Sequence, residues 1–395
     1  LAFIPTPAAA EVGVTATSIR VGGVMDLQGD SSGLGLGMKA GIEAALKNQQ
    51  VQGDTIDFVV LNDFYEPKIA AEATQKLIHE GIFAMLGNVG TPTAAVVLPI
   101  LAEHKMPAVG FFTGAGLLRP GVGDVINFRA SYTQEVAEVV RAAINAGVRP
   151  EEICAYVQND AYGMAGVEGL KRALQGLPNT GKIIQGIERV QALPDANPAR
   201  NNVGPIGFYQ RNTLRSREGY ASLKHWEQAT GTRCRLVVTV GTYKGIGNFA
   251  GYSRIKGETW VLSAVSFTGA EDFRSALNDY GITDRVIMTQ VVPHLDSELP
   301  IVADARKALG GDLSYVSLEG YIVGRMFLTI AQKIKGGITR ESFLKAVQGQ
   351  KFDLGGLPLD FSDDNQGSNL VEITYFEGGD FKEVEGDVWK RLFRN

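Results

Sequence analysis

Short aliphatic and β-branched runs alternate along the chain with longer segments whose apolar positions recur every three to four residues. The first run is Ile19–Met25, followed by a helical pattern over Leu36–Lys47. Strand patterns at Asp57–Asp63, Phe83–Gly87 and Pro107–Phe112 then alternate with helical ones at Pro67–Gly81 and Thr91–Lys105. Strands separated by single helices must run parallel, because a hairpin turn cannot join them. The spacing therefore predicts a doubly wound α/β domain.

The rhythm restarts after Arg129. A helix over Tyr132–Gly147 leads to a strand at Ile153–Asn159 and a helix from Ala161. A strand at Lys182–Val190, a helix at Leu214–Thr230 and strands at Arg235–Gly241 and Thr259–Val265 continue a second α/β domain. Between them Gln191–Arg211, rich in Pro, Asn and Gly, reads as a long surface loop. The C-terminal part changes character. A long amphipathic helix from Ser317 and a shorter one from Arg340 precede Leu357–Val384, whose alternation and glycine turns predict antiparallel strands.

Composition narrows the function classes. At roughly 150 residues per domain, 395 residues suit two to three domains. A net charge of −5 without a basic run argues against nucleic acid or an anionic membrane as partner. Two cysteines and four scattered histidines cannot build a zinc site by themselves, so neither a metal nor a cofactor is expected. Cys154 and Cys234 each open a predicted strand, and either a disulfide or two buried thiols fits. The apolar start and Ala8-Ala9-Ala10 read as the remnant of a secretory signal, or else as a loose N-terminal extension, giving a tail over 1–13. No apolar run reaches the ~18 residues of a membrane span.

Enzyme constellations are missing: the chain has no G-x-S-x-G, no H-E-x-x-H and no Walker loop. Gly33–Gly37 mimics a dinucleotide loop, but Met38 replaces its third glycine, and a glycine-lined loop entering a helix is expected instead. The informative stretch is Asn88–Ala94. Thr91 reads as an N-cap with Pro92 in the first helical position, which leaves the Thr93 and Ala94 amides to meet a carboxylate or phosphate. The next strand ends in Phe112-Thr113-Gly114, a second open loop at the same sheet edge.

Taken in order, GVTATSIRVGGVMDLQG, LNDFYEP, LGNVGTPT, VGFFTGAGLLR, NFRASYTQE, VQNDAYG, VVTVGTY, MTQVVPH, SLEGY and LDFSDDNQGS resemble the leucine/isoleucine/valine-binding group of type I periplasmic solute-binding proteins of ABC importers. The resemblance implies two doubly wound parallel-sheet lobes joined by a three-strand hinge and closing on a ligand. Lobe one would hold 14–128 and 291–368, lobe two 129–290 and 369–395, with crossings near Phe128–Ala130, Thr289–Pro293 and Gly367–Leu370. It further implies an exported, soluble, non-enzymatic, monomeric receptor serving a membrane permease. In the family the loops matching Gly90-Thr91 and Phe112-Thr113-Gly114 grip the ligand carboxylate. Positions matching Tyr132, Tyr162, Tyr243 and Tyr315 line the cleft.

Two departures from the family stand out. Tyr65 and Gly90 occupy the positions of a family disulfide, which leaves Tyr65 free to face the cleft. Ser266 stands where the family carries the acid that pairs with a ligand ammonium, and a hydroxyl cannot neutralise a buried charge as a carboxylate does. The expected ligand is a neutral or branched-chain amino acid. An amine-free acid or amide is the alternative, and a ligand-sensing domain is a third reading.

Overall fold

A computed structural model describes residues 11–394. The proposed export signature in 1–10 lies outside them. Glu11–Gly13, assigned above to the same tail, instead pack on the body: the Glu11 carboxylate accepts the Arg340 amide at 3.0 Å, and a Cβ on Gly13 would meet Phe83 N at 2.1 Å.

The first sheet contains β1 (Ser18–Met25), β2 (Gln50–Val51), β3 (Asp54–Asn62), β4 (Ala84–Leu86), β5 (Ala108–Val109) and β6 (Val125–Ile126), in the order β2-β3-β1-β4-β5-β6. β1 runs parallel to β3 from Ser18↔Thr55 to Met25↔Asn62. Helices α1 (Ser32–Leu46), α2 (Pro67–Glu80) and α3 (Thr91–Glu103) make the crossovers.

Helix α4 (Tyr132–Asn145) opens the second lobe with a capping box between Ser131 and Gln134. Its sheet is built from β7 (Ile153–Gln158), β8 (Ile206–Tyr209), β9 (Leu236–Val240), β10 (Val261–Ala264) and β11 (Val286–Gln290), with helices α5 (Ala161–Leu174), α6 (Gly181–Gln191), α7 (Arg217–Thr230), α8 (Tyr243–Ile255) and α9 (Ala270–Asp279). The chain then returns to the first lobe for α10 (Pro300–Leu309), α11 (Tyr315–Gln332), α12 (Arg340–Val347) and the hairpin β12 (Lys351–Leu354)–β13 (Leu357–Asp360). Finally β14 (Glu372–Glu377) and β15 (Asp380–Glu383) complete the second sheet as antiparallel strands, giving β15-β14-β11-β10-β9-β7-β8, before α13 (Val388–Leu392).

The chain thus passes three times between the sheets. Two passages run side by side: the Asn127 amide donates to Asn365 O at 2.8 Å and the Ser368 amide to Phe128 O at 2.8 Å.

Three expectations are corrected and one open alternative is resolved. Lys182–Val190 is not a strand but lies in α6. Ile183, Gly186, Ile187 and Val190 are its buried face, a three-to-four spacing that outweighs the β-propensity of its isoleucines. Gln191–Arg211 is not all surface loop, since it contains the fully buried edge strand β8. The glycine run is helical rather than looped, because α1 begins at Ser32 and packs closely on α11. A Cβ on Gly41 would lie 2.0 Å from Ser317 O, and one on Gly320 would lie 2.5 Å from Met38 O. Of the two states left open for Cys154 and Cys234, the disulfide is the one observed, with Cα atoms 5.8 Å apart, tying β7 to the entry of β9.

Candidate functional site

In each sheet the strand order reverses once, and the loops leaving the carboxyl ends there diverge to open a crevice. In the first lobe the reversal separates β1 from β4, so Asp26–Ser31 and Gly87–Gly90 line it. In the second it separates β7 from β9, and Tyr162 and Tyr243 begin the helices that follow those strands. The two crevices face each other.

On the first-lobe rim, Gly90 is the N-cap of α3 with φ +117, and Thr91 is already helical. This corrects the expected cap by one residue. The Ala94 amide is engaged by Gly90 O at 3.2 Å, so it is not free for a ligand. The Thr91 hydroxyl, released from capping, lies 2.6 Å from the Thr113 hydroxyl, both fully buried.

Tyr65 packs over Gly90, where a Cβ would meet its ring at 2.6 Å. Its backbone has φ +56, after Phe64 at +51. This strained pair is held by the Asp63 carboxylate, which accepts the Tyr65 amide at 2.8 Å. Burial pushes the Asp63 carboxyl up to about 7, with Asp26 adding to burial against the pull of that amide. The Tyr65 hydroxyl crosses the cleft to accept from Gln158 Nε2 at 3.1 Å. The Tyr65 ring thus packs on one lobe while its hydroxyl reaches the other.

The second lobe presents aromatic rings. Phe267, on the turn after β10, is fully buried with its ring centre 5.1 Å from Phe112, 6.2 Å from Tyr65 and 4.7 Å from Tyr162. Tyr162 lies 5.3 Å from Tyr132 and donates its hydroxyl to Gly241 O at 3.2 Å. Tyr132 packs on Gly114, whose Cβ would lie 2.7 Å from its amide nitrogen. The Tyr132 hydroxyl is buried without a partner.

Charge enters through Arg129, fully buried on the first crossover. Its Nε lies 3.0 Å from Glu319 on α11, and its Nη2 donates to Ser266 Oγ. The Ser266 amide in turn donates to Glu135 at 2.8 Å, as does the Thr289 hydroxyl at 2.7 Å. Burial pushes the Glu319 carboxyl up to about 7 despite Arg129. Arg119 braces the Thr113–Ala115 loop, donating to Ala115 O at 2.9 Å and to Arg129 O at 2.8 Å; burial and then Arg129 pull its guanidinium down to about 10.

Of the residues singled out in the sequence, Tyr65, Gly90, Thr91, Phe112, Thr113, Gly114, Tyr132 and Tyr162 meet in one cluster, with Ser266 on its edge beside Arg129. Tyr243 stands apart, accepting the Gly33 amide at 3.2 Å near the start of α1. Tyr315 is also outside the cluster. It lines a separate opening of about 250 Å³ with Glu271, Arg274 and His294. Sequence reasoning missed Phe267, Arg129, Glu135 and Glu319. A lone acid inside the apolar run of α11 was the available signal for Glu319. Among the described residues no group of three or more His, Cys, Asp or Glu is placed to hold a metal ion.

The sequence profile of the periplasmic binding protein family matches residues 18–188. No curated protein matches the sequence. Among solved structures, a possible leucine/isoleucine/valine-binding protein from Rhodopirellula baltica is 33% identical, with a TM-score of 0.81 over 98% of this chain and 100% of that one. A leucine-binding protein from Thermotoga maritima shares 16% identity, with a TM-score of 0.72 over 93% of this chain and 97% of its own. An ABC-transporter solute-binding protein from R. palustris, solved with 4-hydroxybenzoate, shares 17% identity, with a TM-score of 0.70 over 93% of this chain and 96% of its own.

Proposed function

The chain belongs to the leucine/isoleucine/valine-binding group of type I periplasmic binding proteins, and from that premise we propose that it is an exported, non-enzymatic, monomeric receptor of an ABC importer. It captures a small carboxylate-bearing solute between its lobes and delivers it to a membrane permease. The observation that carries this reading is the buried Thr91–Thr113 hydroxyl pair at the N-terminus of α3. There the helix dipole favours an anion. Aromatic rings of the second lobe cover that point, so a ligand gripped there touches both lobes only in the closed form and shifts the open–closed equilibrium. The Cys154–Cys234 disulfide supports an oxidising compartment.

A neutral or branched-chain amino acid follows from the family and from its leucine-binding members, such as that of Thermotoga maritima. A second reading, an amine-free acid, is favoured by Ser266. Its hydroxyl accepts from Arg129 and its amide faces Glu135, so it offers no carboxylate to an ammonium. The R. palustris neighbour bound to 4-hydroxybenzoate shows that this fold accommodates such a solute. Thr91→Val tests the shared premise: calorimetry should show several-fold weaker binding of a carboxylate ligand, and unchanged affinity contradicts the assignment.

A further inference from the structure

Arg129 carries an unmet demand. Its Nη2 serves Ser266, and its Nε lies 3.0 Å from Glu319 as an ion pair without hydrogen-bond geometry, so that Nε and Nη1 are both buried with no hydrogen-bond partner. The guanidinium carbon lies 4.7 Å from the centre of the Phe112 ring and 5.9 Å from that of Tyr132. The Tyr132 hydroxyl is buried too and makes no hydrogen bond of full geometry, although it faces the Thr113 hydroxyl and the Gly114 backbone, and Tyr132 packs on Gly114, next to the Thr91–Thr113 pair. Orphaned buried donors are rare and costly. Those of Arg129 and Tyr132, on side chains that pack together among aromatic rings near two hydroxyls and a helix N-terminus, form a donor set that suits a planar carboxylate.

The same guanidinium disfavours an α-amino acid. Its ammonium would sit one carbon from the carboxylate, next to a like charge in a desolvated site. The neighbouring acids are already committed: Glu319 to Arg129, and Glu135 Oε1 to the Ser266 amide and Thr289 hydroxyl. Only Glu135 Oε2 remains without a partner, and the amino-acid arms of the experiment below probe it. The walls are rings from both lobes, namely Phe112 and Tyr65 from one and Phe267, Tyr132 and Tyr162 from the other. Such walls suit a flat apolar body.

We infer that Arg129 is the anion-binding side chain of the cleft and that the ligand is an aromatic acid with no amine beside its carboxylate. This rests on the carboxylate-receptor reading above and narrows it.

The test is calorimetry of the full chain with benzoate, 3-phenylpropanoate, benzamide, L-phenylalanine and L-leucine. In the wild type an aromatic acid should bind about tenfold or more tighter than benzamide and than either amino acid. The double variant Arg129→Gln/Glu319→Gln removes both members of the ion pair together, so neither is left buried without the other. With its fold checked by circular dichroism, it should lose most of the preference for acid over amide, whereas Arg129→Lys keeps part of it. An acid preference that survives in the double variant overturns the inference. So does tighter binding of L-phenylalanine or L-leucine than of the acids, which leaves the carboxylate reading standing. Failure of every carboxylate to bind overturns both. Should the double variant not fold, the wild-type ranking of acid, amide and amino acid still decides.

Discussion

Replacing Phe267 with alanine should open the cleft without unmaking either lobe. The ring sits on the turn after β10 and meets Phe112 and Tyr65 of the opposite lobe at 5.1 and 6.2 Å. Both pairs fall in the favourable range for tilted rings, worth about 0.5–1.5 kcal/mol each beyond burial. The contact with Tyr162, at 4.7 Å, lies within its own lobe and persists whether the cleft is open or shut. The variant therefore costs the closed form about 1–3 kcal/mol relative to the open one, from two such pairs. At about 1.4 kcal/mol per tenfold, closure weakens by roughly five- to 150-fold. Because the ligand is held only across both lobes, its apparent affinity falls with the closed fraction. Calorimetry with benzoate and L-leucine reads the affinity, and small-angle X-ray scattering reads the closed fraction directly. Phe267→Leu, which keeps apolar bulk but no ring, should fall between wild type and alanine. If Phe267→Ala binds within about twofold of wild type and scatters identically, the aromatic contacts across the cleft do not hold it shut.

Asp63→Asn should stabilise the protein at about pH 8 and lose that advantage in acid. Asp63 is ordinarily ionised above 3.8 but is pushed to about 7 in the fold, so the folded state pays to ionise it as pH climbs between those values. The gain is at most about 4 kcal/mol above pH 7, from about 1.36 kcal/mol per unit, and thermal melts across pH check it. Replacing Cys154 and Cys234 together with alanine opens a cross-link that spans 80 positions. It should cost about 2–5 kcal/mol in denaturant unfolding, and a loss below about 1 kcal/mol argues against a stabilising bridge. Gly41→Val should cost about 3 kcal/mol or more, because a Cβ there falls 2.0 Å from Ser317 O. The same substitution at solvent-facing Gly257, where a Cβ meets nothing within 4 Å, serves as the comparison, its φ of +80 adding only backbone strain.

Much of the architecture was legible because strand and helix in the first lobe differ cleanly in period. The reading failed where local signals conflict. In α6 the isoleucines suggested a strand, and only their spacing tells otherwise. β8 has four residues between Gly204-Pro205 and Gln210, too few to stand out from a loop. The α3 cap was misplaced by one residue because Thr91 is a good capping residue by type, while Gly90 takes a positive φ that favours glycine.

The candidate site shows the same division. The glycine-permissive loops at Gly90 and Thr113 announce themselves locally, and the family resemblance added the tyrosines. Ser266 occupies the position the family marks, yet its neighbour Phe267 is the side chain that enters the cleft. The Arg129–Glu319 pair joins a crossover to a helix far along the chain, and no spacing rule links residues so distant in sequence. Tyr315 was placed by alignment with the family alone, and it faces a different opening.

The most direct measurement is a crystal structure of the protein soaked or grown with benzoate. The account predicts its carboxylate within hydrogen-bond distance of the Arg129 guanidinium and of the Thr91 and Thr113 hydroxyls, and its ring against Phe267 and Tyr162, with both lobes in contact. Benzoate bound on one lobe alone, or away from the α3 N-terminus with the lobes apart, would contradict it.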